Sequence, residues 1–128
     1  MIGEALGQPI IFGRPETFDC DDAVTARWTS SDGTFTVDLA SIKEATLVHY
    51  GAQQVLVDAY LTSIPGSRVT TVGDIGATGS SRAGHARALS CLGDLAVRCD
   101  VYGPVDIAAV DLEGTAEAII VTALRLDP

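Results

Sequence analysis

The sequence predicts an all-β fold, an antiparallel β-sandwich or barrel of about eight short strands. Short segments of alternating apolar and polar residues recur along the chain, and Gly, Pro and Asp residues separate them. Asp32–Gly33 stands between two such segments, which is the strongest short-range signal for a β-hairpin. The length of 128 residues suits one domain, and the 47% hydrophobic content argues against a disordered chain.

The chain is predicted to begin with an extended, irregular segment over residues 1–23, which Pro9, Gly13 and Pro15 interrupt. Residues 9–12 of this segment are compatible with a short edge strand. Residues 24–128 are predicted to form a single β-rich domain.

Residues 24–39 are the clearest element, a hairpin with a two-residue type I′ turn at Asp32–Gly33. Its register pairs Arg27 with Asp38, Trp28 with Val37 and Thr29 with Thr36. The alternation places Trp28 on the core side and Thr25, Arg27 and Asp38 on the solvent side. A shift of one residue would expose Trp28, so the hydrophobic pattern specifies the register.

The remaining elements are predicted from alternation and turn residues. Strands are expected over residues 46–50, 55–62 and 68–72, although a helix over 52–64 competes with the second of these. β-branched content favours the strand there. Residues 85–92 and 95–102 form a hairpin around Gly93–Asp94, with a helix over 83–92 as the alternative. Residues 105–112 and 115–126 form a third hairpin, apolar on both faces.

Residues 73–84 are rich in glycine and serine and are predicted to form one long surface loop. Gly73, Gly76 and Gly79 follow a G-x-x-G-x-x-G pattern. No lysine follows, as a Walker A motif would require, and the spacing differs from a dinucleotide fingerprint. The glycine pattern is therefore not predicted to be a phosphate-binding motif.

The three cysteines, Cys20, Cys91 and Cys99, form no C-x-x-C pair, and buried reduced thiols are expected. The hairpin register places Cys91 opposite Ala96 and Cys99 on the other face of the sheet. We predict no Cys91–Cys99 disulfide, because a bridge needs converging Cβ atoms.

The chain is acidic, with a formal charge of −9 and a pI near 4.3, and Lys43 is its only lysine. Its scattered arginines argue against a nucleic-acid partner and against an anionic membrane surface. No apolar run approaches the roughly 18 residues of a membrane span. No signal peptide is recognisable at the N-terminus. The acidity would suit a basic partner surface.

Aspartates supply the first candidate site. Asp19, Asp21 and Asp22 cluster, but the further oxygen ligands of an EF-hand are missing from the pattern, and a solvated turn is the preferred interpretation. Three more aspartates are predicted to be exposed on or beside strands: Asp100, Asp106 and Asp111.

The two histidines, His49 and His85, have no Cys, His or Glu at a metal-ligand offset. Ser80 and Ser81 lie near His85 in the sequence, but there is no G-x-S-x-G motif. Both histidines are interpreted as surface residues. We therefore assign no catalytic, cofactor or metal residue and predict that the chain is not an enzyme.

Three features together resemble the small virion proteins of tailed bacteriophages: the extended lead-in at residues 7–22, the loop at 73–84 and the apolar hairpin at 105–126. The resemblance implies a capsid decoration (cement) protein, a non-enzymatic homo-oligomer that stabilises the capsid. Its partner would be the major capsid protein or another virion protein. Its location would be the virion, after assembly in the host cytoplasm.

Two alternatives stay open. The first is a β-sandwich module that binds a carbohydrate-type ligand, for which Tyr50, Tyr60 and Tyr102 would supply stacking rings because Trp28 is assigned to the core. The second is a phage head–tail connector or tail protein.

Overall fold

The computed structural model describes residues 14–19, 23–42, 53–63, 67–70, 74–80, 82–92 and 95–126. Within these ranges the elements are β1 (Glu16–Asp19), β2 (Ala23–Thr29), β3 (Thr36–Ile42), α1 (Gln53–Ser63), β4 (Arg68–Thr70), β5 (Ile75–Gly79), β6 (His85–Leu92), β7 (Leu95–Tyr102) and α2 (Ala109–Leu126). Among the described residues, no helix is long and apolar enough to cross a membrane.

The described strands form one antiparallel sheet of seven strands in the order β1-β2-β3-β7-β6-β5-β4. The predicted all-β, antiparallel fold class is confirmed. The sheet is open, and within the described residues β1 and β4 lie at its two ends. The N-terminal segment predicted to be irregular includes β1, which pairs with β2 along its whole length.

The two helices pack on opposite faces of the sheet. Helix α1 buries Val57 and Tyr60 against Leu89 and Cys91 of β6. Helix α2 packs on the other side, where it forms a cluster with alternate residues of the central strands: Val37, Ala86, Ala88, Cys99, Val101, Leu112, Ala116, Ile119 and Ile120. We call the two sides of the sheet the α1 face and the α2 face.

The predicted register of the first hairpin is confirmed, because Arg27 pairs with Asp38 and Trp28 with Val37. The predicted type I′ turn is wrong. Ser30 and Phe35 close a four-residue loop in which Gly33 alone has positive φ, at 76°. The Asp32 carboxylate accepts bonds from Ser30 and from the Thr34 backbone and hydroxyl, which stabilises this turn. Both loops are centred on the same residues, so the register is the same.

The predicted solvent side of this hairpin is also corrected. Thr25 and Asp38 are buried at 4% and 8% exposure, and Trp28, predicted to lie in the core, is only half-buried. A sheet that is covered on both faces can bury polar residues at positions that alternate with apolar ones. The alternation assigned the residues to the two faces of the hairpin correctly, but it did not show which of these residues are exposed to solvent.

Two predicted strand regions are helical. The strand at 55–62 was wrong, and α1 confirms the competing helix in that region. The third hairpin at 105–126 was also wrong, because α2 occupies most of it. Leu112, Ala116, Ile119 and Ile120 follow the i, i+4, i+7, i+8 spacing of a helix face. The prediction failed because the apolar residues of this segment fit two interpretations, a strand pair that is apolar on both faces and a helix with one buried face.

The predicted long Gly/Ser loop is corrected as well, since β5 crosses its middle between β4 and β6. Gly76 and Gly79 are tightly packed. A Cβ at Gly76 would lie 2.6 Å from the Leu89 carbonyl oxygen, and one at Gly79 would lie 2.6 Å from the Ser67 Cβ. Glycine therefore permits close approach of neighbouring strands here.

The second hairpin is confirmed, and the helix considered over residues 83–92 is excluded by β6. Cys91 pairs with Ala96, and Cys99 belongs to the cluster on the α2 face while Cys91 packs on the α1 face. Both are buried free thiols. The predictions for residues 9–12 and 46–50, and for Cys20, Asp21, Asp22, His49 and Tyr50, lie outside the described residues.

Candidate functional site

The α1 face carries four charged residues in one row across four adjacent strands. Arg27, Asp38, Asp100 and Arg87 come from β2, β3, β7 and β6 and are consecutive cross-strand partners. Asp38 and Asp100 lie directly opposite each other, an arrangement that repels unless cations compensate it. The row places one arginine beside each carboxylate. We call this set, together with the adjacent Arg98, the charged row.

Arg27 and Asp38 form a two-point ion pair. Arg27 Nε donates to Asp38 Oδ1 at 2.7 Å and Nη2 donates to Oδ2 at 2.8 Å. The bond to Asp38 raises the pKa of the Arg27 guanidinium, which stays charged throughout the accessible pH range. The guanidinium also lies 5.2 Å from the centre of the Phe18 ring, a cation–π distance. This half of the charged row ties β1 to β2 and β3.

Asp100 is the centre of the other half and is 4% exposed. Its Oδ1 accepts from Arg87 Nε at 2.6 Å and lies 2.8 Å from His85 Nε2. Arg98 Nε lies 3.5 Å from Oδ2, an ion-pair contact. An ionised carboxylate only accepts, so the tautomer of His85 that carries hydrogen on Nε2 fits this contact.

Aromatic side chains border the charged row. The His85 and Tyr102 rings stack with centroids 4.7 Å apart. Tyr60 of α1 donates its hydroxyl hydrogen to the Arg87 carbonyl oxygen at 2.6 Å, and burial raises its pKa. Helix α1 therefore stands beside the charged row and is anchored to its backbone.

The chemistry of the charged row follows from which atoms are occupied. Both Asp38 oxygens accept short bonds, and Asp100 receives contacts from three cationic or imidazole groups. A carboxylate engaged in this way is a poor general base. Arginine cannot be deprotonated in proteins. The arrangement is suited to holding strands together and to presenting N–H groups.

We expect acid to weaken the folded state through Asp100. Burial, the largest influence, would raise its pKa. The bonds from His85 and Arg87 and the charges of Arg87 and Arg98 outweigh it, so that the pKa of Asp100 is lowered. A lowered folded pKa stabilises the protein above the unfolded value of about 3.9, and this stabilisation is lost as pH falls through the folded pKa.

Urea unfolding measured between pH 7 and about pH 3 checks this expectation. The Asp100→Asn variant should show a flatter loss of unfolding free energy toward acid than the wild type. The exposed Asp106, changed to Asn, provides the matched control and should keep the wild-type slope. Equal slopes in all three proteins would contradict the role of Asp100.

The structure corrects several residue predictions. Asp100 and His85 were predicted to be exposed, and both are buried, whereas Asp106 and Asp111 are exposed as predicted. Ser80 bonds through its hydroxyl to the His85 backbone carbonyl, so no serine–imidazole hydrogen bond is formed by this pair. Among the described residues, no group of three or more His, Cys, Asp or Glu side chains could hold a metal ion.

Sequence reasoning missed the charged row although one signal was available. The same register that pairs Cys91 with Ala96 also pairs Arg87 with Asp100, because each of these residues lies four positions farther from the turn on its strand. The Arg27–Asp38 pair was predicted correctly. What the sequence did not contain was the adjacency of β3 and β7, which joins the two pairs into one row.

Comparisons of this chain with protein-family models, with curated protein sequences and with solved structures found no match.

Proposed function

We propose that this chain is a non-enzymatic structural protein that works as a homo-oligomer, and specifically a bacteriophage virion component that decorates and stabilises the capsid. The observation that carries the proposal is the open sheet, in which β1 and β4 are the two end strands among the residues that the structure describes. Edge strand β4 exposes Val69 at 56%, and edge strand β1 exposes Phe18 at 36%. Unpaired edges with exposed apolar side chains are places where another chain can add.

Two further features support this proposal. The carboxylates of the charged row are engaged by arginine and histidine, an arrangement that suits a structural role better than acid–base catalysis. The net charge of −9 favours a basic partner surface, as a capsid shell carrying basic patches would provide. The major capsid protein, or another virion protein, is the proposed partner.

Sedimentation velocity of the full chain tests the oligomer. We expect a discrete species with a mass that is a multiple of 13.3 kDa. Lysine on an edge strand opposes pairing, so Val69→Lys should shift the protein toward the monomer. Val55→Lys is the matched control, because Val55 is similarly exposed, at 47%, but lies on α1. A wild-type protein that stays monomeric at every concentration would contradict the proposal.

The virion assignment is tested by the position of the gene. Neighbouring terminase, portal and major capsid genes would support it, and a location among genes of unrelated pathways would count against it. A head–tail connector or tail protein is the alternative within the same class. Electron microscopy would separate the two, since a decoration protein coats the capsid surface and a connector occupies one vertex.

The half-buried Trp28 favours a second candidate, the carbohydrate-type binding module. Its ring was assigned to the core, but part of it remains exposed on β2. Aromatic rings at a surface can stack on sugar faces. Trp28 is the only tryptophan, so its fluorescence reports directly on such binding. A saturable fluorescence change on titration with an oligosaccharide would favour this candidate.

A further inference from the structure

We infer that the chain binds a basic partner protein through a surface at the beginning of α2, where each of two exposed valines is followed by an exposed aspartate. The residues of this surface are all exposed: Val105, Asp106, Ala108, Ala109, Val110 and Asp111. We call them the valine–aspartate patch. The inference rests on the proposed function, because it names the surface by which the chain would contact the basic partner proposed there.

The valine–aspartate patch holds the two most exposed large hydrophobic side chains of the described residues. Val105 is 75% exposed and Val110 is 65% exposed, and two exposed alanines lie between them in the sequence. Exposed apolar area that polar residues surround is typical of a protein-interaction site.

The residues around the valine–aspartate patch anchor it to the rest of the fold. The Gly103 N–H donates to the Gly84 carbonyl oxygen at 2.8 Å, which ties the start of this segment to β6. Ile107 packs against the cluster on the α2 face, and Leu112 is buried in that cluster. The exposed valines therefore stand on an anchored backbone, so a partner would bind a preformed surface at a low cost in conformational entropy.

The charge of the valine–aspartate patch favours a cationic partner. No lysine, arginine or histidine lies between Arg98 and Arg125 in the sequence. Among the described residues, the carboxylates of Asp106 and Asp111 form no ion pair, since the arginine ion pairs there involve other carboxylates. An unpaired carboxylate next to an exposed valine complements a lysine or arginine that lies beside an apolar side chain.

A second copy of the chain is a poorer occupant of the same surface. Two valine–aspartate patches facing each other would bring four carboxylates together, between molecules that each carry a charge of −9. Like charges placed opposite each other oppose association. The surface therefore fits a different protein, one with basic residues interspersed among apolar ones.

Titration of the full chain with a short peptide of alternating leucine and lysine, at constant ionic strength, tests the inference. The readout is the backbone amide shifts in a nitrogen–proton NMR spectrum. We expect saturable shifts at residues 105–111 and none at Asp32 or Asp58, which are exposed acidic residues elsewhere. A peptide with serine in place of leucine should bind about tenfold more weakly, because it lacks the apolar contacts. Shifts spread equally over all exposed acidic residues, or equal affinity for the two peptides, would overturn the inference.

Two pairs of substitutions at exposed positions separate the valine–aspartate patch from the general acidity of the chain. Val110→Ser should weaken binding of the leucine–lysine peptide about tenfold, whereas Val55→Ser on α1 should not change it. Asp106→Asn should weaken it about threefold, whereas Asp58→Asn removes the same charge from α1 and should leave it unchanged. Equal weakening within either pair would contradict the inference.

Two outcomes distinguish this inference from the proposed function. Amide shifts at residues 105–111 that appear when the protein alone is concentrated would place a second copy on the patch. They would overturn the inference and leave the proposed homo-oligomer standing. Peptide binding at the patch by a chain that sediments as a monomer at every concentration would support the inference and contradict the proposed oligomer.

Discussion

Asp100→Ala is expected to lower the free energy of unfolding by about 3 kcal/mol. The substitution removes the carboxylate that compensates Arg87 and Arg98 and leaves the His85 imidazole, 8% exposed, without its acceptor. Buried polar and charged groups that lose a hydrogen-bonding or ionic partner carry a desolvation cost that was previously offset. Urea unfolding near pH 7, where the carboxylate is ionised in the wild type, measures the effect.

Asp106→Ala is the control for this expectation, because Asp106 is exposed and precedes α2. A surface substitution of this kind should change the unfolding free energy by no more than about 0.5 kcal/mol. The free energy of unfolding of Asp100→Asn should lie between those of Asp100→Ala and Asp106→Ala, because the amide oxygen of asparagine still accepts one hydrogen bond. If Asp100→Ala and Asp106→Ala lowered the free energy of unfolding by the same small amount, the charged row would not be a stabilising element of the sheet.

Gly76→Ala is expected to lower the unfolding free energy by about 2 kcal/mol. The added Cβ would lie 2.6 Å from the Leu89 carbonyl oxygen on the neighbouring strand β6 and 2.6 Å from Thr70 Oγ1 on β4. The threonine side chain can rotate away, but the carbonyl oxygen is part of the β5–β6 ladder. The sheet must therefore shift locally to admit one methyl group.

Gly114→Ala should instead raise the free energy of unfolding. Gly114 lies inside α2, and a Cβ there would meet nothing within 4 Å. Replacing an unhindered glycine in a helix by alanine stabilises by roughly 0.5–1 kcal/mol. Thermal and urea unfolding of both variants would check the pair. A stable Gly76→Ala protein would show that β5 is not packed as tightly against β6 as the structure indicates.

The elements that were predicted well depend on local information. The register of β2 with β3 and of β6 with β7 followed from turn residues and alternation, which act between residues close in the sequence. Residues 105–126 were predicted wrongly because small and apolar residues satisfy both the helical and the strand period there. Strand β5 was missed because Gly76 and Gly79 are typical of loops unless a neighbouring strand approaches closely.

The sequence by itself determined the antiparallel all-β character, the two hairpin registers and the Arg27–Asp38 pair. Only the tertiary structure decided that β3 lies beside β7, that α1 and α2 pack on opposite faces, and that Asp38 and Asp100 are buried. The physical reason is that strand order and burial depend on contacts between residues far apart in the chain. No local pattern encodes the charged row, which exists because those long-range contacts bring four strands into one register.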